Sequence, residues 1–237
     1  VTLLVAAAAA EEPSCYSRLT NEWFCWQYVV DRQDQLESAT VEHLQITLAA
    51  VLVGVLLAFP LALLARGVPR LETAILGTST MLYTIPSLAL FPLLVPFTGL
   101  SATTVVIGLA LYALTILVRS MLEGLRGVPA EVRESAAGLG YGPARRLLRV
   151  ELPLALPVLM AGLRVATVST VALTTVGTIV SYGGLGDLIS DGVLTNFRAE
   201  LMTASVLCVV LAVVLDLAIV GTQWLLTPWA RGRATAR

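Results

Sequence analysis

Few places in this sequence carry residues able to do chemistry. The densest is 131–157, EVRESAAGLGYGPARRLLRVELPLALP, where Glu131, Arg133, Glu134, Arg145, Arg146 and Arg149 fall between long apolar stretches. Acids and arginines at such spacing suit ion pairing with a partner surface better than catalysis. His43 is the only histidine, and Cys15, Cys25 and Cys208 lack metal-ligand spacing, so no metal site is expected. Cys15 and Cys25 either pair, if both lie outside the cell, or remain free thiols. With no glycine-rich loop ending in Gly-Lys-Ser/Thr, and no lysine at all, the chain itself should bind neither ATP nor another cofactor. Other candidates lie inside apolar stretches. Arg164 and Asp216 are costly there unless paired or hydrated, and by composition each is a candidate partner for the other. Tyr83, Pro86, Tyr112, Thr170, Thr174 and Thr175 could line a wet, partly aromatic route, although threonines in membrane helices commonly bond their own backbone.

The elements that position these residues are apolar. The chain is 57% hydrophobic and 13% charged, against about 25% charged in soluble domains, which marks an all-α, polytopic membrane protein and excludes a soluble enzyme. A net charge of −1 without a basic aromatic tract argues against nucleic-acid binding. Five apolar stretches are each expected to cross the bilayer, which takes about 20 residues: 44–65, 73–97, 101–122, 154–180 and 201–226. Pro86, Pro92 and Pro96 should kink or break the second, which should then face the protein interior or a pathway. Residues 181–198 read as a loop helix capping the translocation side, with Leu185, Leu188 and Ile189 as its apolar repeat. Residues 21–36, with Trp23, Phe24, Trp26 and Tyr28, read as a segment at the headgroup level. The first 12 residues are too short to span and lack the positive start of a signal peptide; they read as a leader, a partial helix or a misplaced start. His43 is expected to make a helix-start contact near the outer entrance.

Within 131–157, residues 131–139 suit a helix with Val132, Ala136 and Leu139 on one face. Gly138 and Gly140 loosen the backbone, Pro143 opens a second short helix over 144–150, and Leu152-Pro153 should break it. The result is a helical elbow offered to a partner in the water. If it is cytoplasmic, ten arginines lie on its side (Arg66, Arg70, Arg126, Arg133, Arg145, Arg146, Arg149, Arg231, Arg233 and Arg237) and Arg18, Arg32 and Arg198 on the other. The positive-inside rule then puts the N-terminus outside and the C-terminus in the cytoplasm.

The elbow also resembles the signature of ATP-binding-cassette (ABC) importer permeases: Glu-Ala-Ala, three residues, Gly, nine residues, an aliphatic residue, one more, Leu-Pro. Here it reads Glu134-Ser135-Ala136, Gly140, Val150, Leu152-Pro153, with every spacing kept and Ser for the first Ala. Glu42-His43-Leu44, Thr84-Ile85-Pro86-Ser87-Leu88-Ala89-Leu90, Ala161-Gly162-Leu163-Arg164 and Gly183-Gly184-Leu185-Gly186-Asp187 look like the glycine betaine/carnitine/choline branch. The resemblance implies a MetI-like permease fold with about five core transmembrane helices, in a bacterial cell membrane. It divides the chain into an outer segment 1–40, a permease domain 41–228 with a cytoplasmic coupling loop 123–153, and a tail 229–237. The implied partners are a second permease subunit, two ATPase subunits that hold ATP and magnesium, and an extracellular or lipid-anchored substrate-binding protein. Glu134, Ser135, Ala136, Gly140, Arg145, Arg146, Val150, Leu152 and Pro153 would engage the ATPase. The chain would be a transport subunit for compatible solutes and not an enzyme. Alternatives are a permease for methionine or another small amino acid, a non-transporting regulatory subunit, and an ATP-independent channel.

Overall fold

The computed structural model describes residues 14–231, and every regular element among them is a helix. The leader and most of the expected tail fall outside the described residues. A short helix α1 (Trp26–Asp31) leads into α2 (Gln33–Gly67). At 35 residues, α2 is about 52 Å long, well beyond a bilayer core of about 30 Å. It thus begins before the expected span at 44, because nothing between Gln33 and His43 is a breaker and extending an existing helix is far easier than nucleating one.

The second apolar stretch is not one rod. It forms α3 (Pro69–Thr84) and α4 (Ser87–Thr98), bent by 101° at Ile85-Pro86. Pro86 has no N–H to donate, and the residue before a proline is pushed out of the helical region; Ile85 accordingly sits at φ −68°, ψ 125°. Pro92 and Pro96 stay inside α4. This stretch is expected to face the interior or a pathway, and within this chain most of it does not face the interior. Only Ser79 in α3 and Leu90 and Phe91 in α4 are buried, while Met81, Tyr83, Leu88, Leu93 and Phe97 are exposed. The physical reason is that the Tyr112 hydroxyl donates to Ile85 O, satisfying the carbonyl at the break from one side.

Helix α5 (Ala102–Arg126) is the central post, packed against α2, α3, α4 and α8. In its most apolar stretch 61% is buried, against 11% in α10, so α5 orders the rest. The elbow follows as α6 (Ala130–Gly138) and α7 (Pro143–Arg146). The expected break at Leu152-Pro153 does not occur. A π-turn over Leu147–Glu151 runs from α7 into α8 (Leu152–Thr174), which tightens into a 3₁₀ turn over Thr175–Val180. Leu152 N–H reaches back five residues to Leu147 O, and this wider winding carries the chain past Pro153 without interruption.

Helix α9 (Leu185–Leu194) is the expected loop helix, with Leu185 and Leu188 buried. Gly184 precedes it at φ +57°, where an added Cβ would lie 2.7 Å from His43 N, so only glycine fits the turn. Helices α10 (Arg198–Leu226) and α11 (Pro228–Arg231) complete the described chain. Among the described residues four continuous helical runs, α2, α5, Pro143–Val180 and α10, are long and apolar enough to cross a membrane, or five spans if α3 and α4 count as one.

The 21–36 segment divides. Trp23, Phe24 and Trp26 are exposed, but Tyr28 turns inward against Tyr16 and Phe197, with ring centroids 5.8 and 5.3 Å away. Burial pushes the Tyr28 phenol up to about 12. Cys15 and Cys25 form a disulfide, and the Asn21 side chain donates to Asn196 O at 2.8 Å and accepts from Arg198 N at 3.0 Å. The N-terminal segment is therefore stapled to itself and to the α9–α10 turn.

Candidate functional site: elbow, charge clusters and groove

The elbow is built by local rules. Gly140 ends α6 at φ +81°, a conformation that disfavours any side chain. Three backbone bonds lock the turn: Leu139 N–H to Ser135 O at 3.1 Å, Gly140 N–H to Ala137 O at 2.9 Å, and Tyr141 N–H to Ala136 O at 3.1 Å. Pro143, preorganised for a first helical position, then opens α7. Glu134 and Ser135 are exposed and Ala136 is buried. Of the expected apolar stripe, Val132 is half-buried but Leu139 stands free at 77% exposure. The Arg145 guanidinium lies 4.4 Å over the Tyr141 ring centroid. Glu134, Arg133 and Arg146 share a small cavity of about 190 Å³. Val150, Leu152 and Pro153 are half-buried at the root of α8.

Beneath the elbow lies a residue that sequence reasoning missed. Glu151 is 2% exposed and accepts from Arg146 Nε at 2.8 Å and from Arg66 Nη1 at the end of α2. A buried carboxylate needs this pairing. The signal available was a lone acid at the start of an apolar run, just after Arg145, Arg146 and Arg149. Farther along, Arg164 in α8 and Asp216 in α10 meet as a bidentate pair, with both bonds at 2.7 Å.

The expected pathway residues divide. Tyr83 is exposed and packs edge-on against buried Tyr112, centroids 5.7 Å apart, beside exposed Pro86. Thr170 and Thr174 require correction. Both are buried, bonding Ala166 O at 2.7 Å and Thr170 O at 2.8 Å, and Thr174 meets Thr47 at 3.1 Å. They close the α2–α8 seam because their hydroxyls are satisfied inside it. Thr175 is half-buried and bonds Ala172 O at 2.7 Å. His43 also differs from expectation. It lies inside α2, fully buried, with Nδ1 3.1 Å from Gly183 O and Nε2 3.0 Å from Val171 O. The early start of α2 moves it from a helix end to a seam with α8 and the α9 turn.

Between α3, α5 and α8 a groove of about 580 Å³ opens, with Thr80, Tyr83, Thr115, Arg119, Ser120 and Glu123 as its polar face and Ile116, Val158 and Val165 as its apolar wall. Its floor is set where Gly162 passes Ser120 so closely that an added Cβ would lie 2.0 Å from Ser120 Oγ.

The family described as "Binding-protein-dependent transport system inner membrane component" matches residues 50–232. The choline transport system permease protein OpuBB of Bacillus subtilis is 33% identical over 202 residues, 85% of this chain and 93% of that protein. The osmoprotectant import permease protein OsmW of Salmonella typhimurium is 34% identical, covering 85% of this chain and 96% of its own. Among solved structures, the MetNI methionine ABC transporter in an inward-facing conformation aligns with a TM-score of 0.73 at 21% identity, over 83% of this chain and 98% of that one. At that identity the likeness carries the fold alone.

Proposed function

Because the chain belongs to the family of binding-protein-dependent transport system inner membrane components, we propose that it forms the path for choline, carnitine and glycine betaine-type compatible solutes in an ATP-driven importer. It is a multi-pass membrane permease subunit and not an enzyme. The observation that carries the substrate class is the relatives' names: proteins over 30% identical across most of the chain are choline and osmoprotectant permeases. The methionine alternative rests only on a fold likeness.

In this reading residues 41–228 are the permease domain and 123–153 its coupling loop. A substrate-binding protein delivers the solute from outside, two ATPase subunits bind ATP and magnesium, and a second permease completes the path. The elbow presents Glu134, Ser135 and Arg145 to the ATPase, with the small, buried Ala136 packed beneath them and Gly140 setting its bend. Closure of the ATPase pair would pull on α7. The unbroken winding from Pro143 to Val180, clamped to α2 through Glu151, would carry that pull into α8. Tyr83, Pro86, Tyr112 and Thr175 are the proposed pathway residues. The Cys15–Cys25 disulfide supports an outer N-terminal segment, since disulfides persist in oxidising compartments, and the arginine asymmetry supports a cytoplasmic C-terminus.

The test is uptake of radiolabelled glycine betaine, carnitine, choline, proline and methionine by the reconstituted importer, with and without ATP. ATP-dependent uptake of the first three is expected. Methionine uptake alone would replace the substrate, and uptake without ATP would replace the mechanism.

A further inference from the structure

The groove between α3, α5 and α8 holds two charges the elbow and its clamps do not use. Arg66 and Arg146 share Glu151, Arg126 forks onto Glu72 at 2.6 and 2.5 Å, and Arg164 holds Asp216. Arg119, on the membrane-spanning α5, lines the groove without a carboxylate partner among the described residues. Glu123 lines it too and is likewise unpaired. Four residues apart, the two project from one face of α5 about 6 Å from each other along the axis. Arg119 falls inside the expected span 101–122 and Glu123 one residue beyond it, in the last turn of α5. An ionisable group in a span without a partner is costly and marks a ligand route, and that argument applies to Arg119. Tyr83 stands at the other end, against Tyr112, and Tyr112 is seven residues, about 10 Å, before Arg119 on α5. Thr80, Thr115 and Ser120 add hydroxyls between them. The volume, about 580 Å³, is in the range of small-molecule sites, which run from about 300 to 1,000 Å³.

We propose that this groove is a resting site for a quaternary-ammonium zwitterion, with Arg119 as the carboxylate ligand. This rests on the substrate class proposed above. A methylated ammonium cannot donate hydrogen bonds, so what holds it is a ring face or a negative charge, and Tyr83 and Glu123 supply one of each. Arg119 lies between them. It pairs with the carboxylate while the ammonium rests on Tyr83, and again when the ammonium has moved to Glu123. The groove is thus a two-position track with Arg119 as pivot, weak enough at each end for release. Choline has no carboxylate and should cross without needing Arg119.

The test measures glycine betaine and choline uptake by the complete importer carrying Arg119→Gln or Arg119→Lys. The ratio of glycine betaine to choline uptake should fall at least tenfold in Arg119→Gln and recover in Arg119→Lys. An unchanged ratio, including an equal fall for both solutes as expected of a charge that only anchors a lipid headgroup, overturns the inference. So does a wild-type importer that carries choline but no betaine. A wild-type importer that carries neither overturns the substrate class itself.

Discussion

Glu151 shows how much one residue can carry here. Its carboxylate joins the end of α2, the last residue of α7 and the root of α8 through Arg66 and Arg146. Breaking a fully buried pair by removing one partner costs about 3–5 kcal/mol; here only Glu151 is buried, while Arg66 and Arg146 keep 19% and 32% of their side chains exposed, so water offsets part of that cost. Glu151→Gln should therefore lower the unfolding midpoint of the purified importer markedly, read by thermal or denaturant unfolding in detergent; an unchanged midpoint would mean that water or lipid already satisfies both guanidiniums. His43 poses a different demand. Each ring nitrogen faces a backbone carbonyl, Gly183 O on one side and Val171 O on the other. Carbonyls only accept, and a neutral imidazole donates from one nitrogen. The lone histidine was visible in the sequence; its two acceptors, 128 and 140 residues away, were not.

At the scale of elements, the proposed function makes the elbow and the rod behind it one lever. Gly140 sits at φ +81° with no atom within 4 Å of the place a Cβ would occupy, so a side chain there meets no clash but strains the backbone by about 1–2 kcal/mol. Gly140→Val should shift the angle between α6 and α7. In the assembled importer ATP hydrolysis should persist while solute moved per ATP falls at least tenfold; normal uptake at a normal hydrolysis rate would show that the bend does not couple. The bent pair α3–α4 is the other unusual element. Pro86 announced a break, but its angle and the tyrosine that satisfies it came from α5.

For the whole molecule, the N-terminal segment and the seams decide how the parts are held together. A disulfide closing a loop of 10 residues in sequence separation constrains the unfolded chain by about 2–3 kcal/mol, and Asn21 fastens that loop to the α9–α10 turn. If the N-terminal segment is outside, a membrane-impermeant maleimide added to intact cells should label Cys15 and Cys25 only after reduction with an impermeant phosphine. Labelling that requires permeabilised cells would invert the topology. The exposed apolar faces of α3, α4 and α10 are those of a molecule surrounded by lipid, not by water.

What the sequence determined by itself was local. Apolar length dictated spans, because a bilayer accepts only backbones that satisfy their own hydrogen bonds. Gly140 and Pro143 were legible as a turn and a helix start because both depend on near neighbours, whereas the break expected at Leu152-Pro153 was bridged by the π-turn before it. Tertiary structure alone decided which polar groups meet. Thr170 and Thr174 turned into the α2–α8 seam, His43 fell inside a helix extended past its expected start, and Glu151 found arginines from two helices. Arg164 and Asp216 were visible as costly charges, yet only packing brought them together. The physical reason is common to all of them: in an apolar interior a polar side chain is held by whichever partner the fold brings within about 3 Å, and that partner is chosen by packing between segments far apart in the chain.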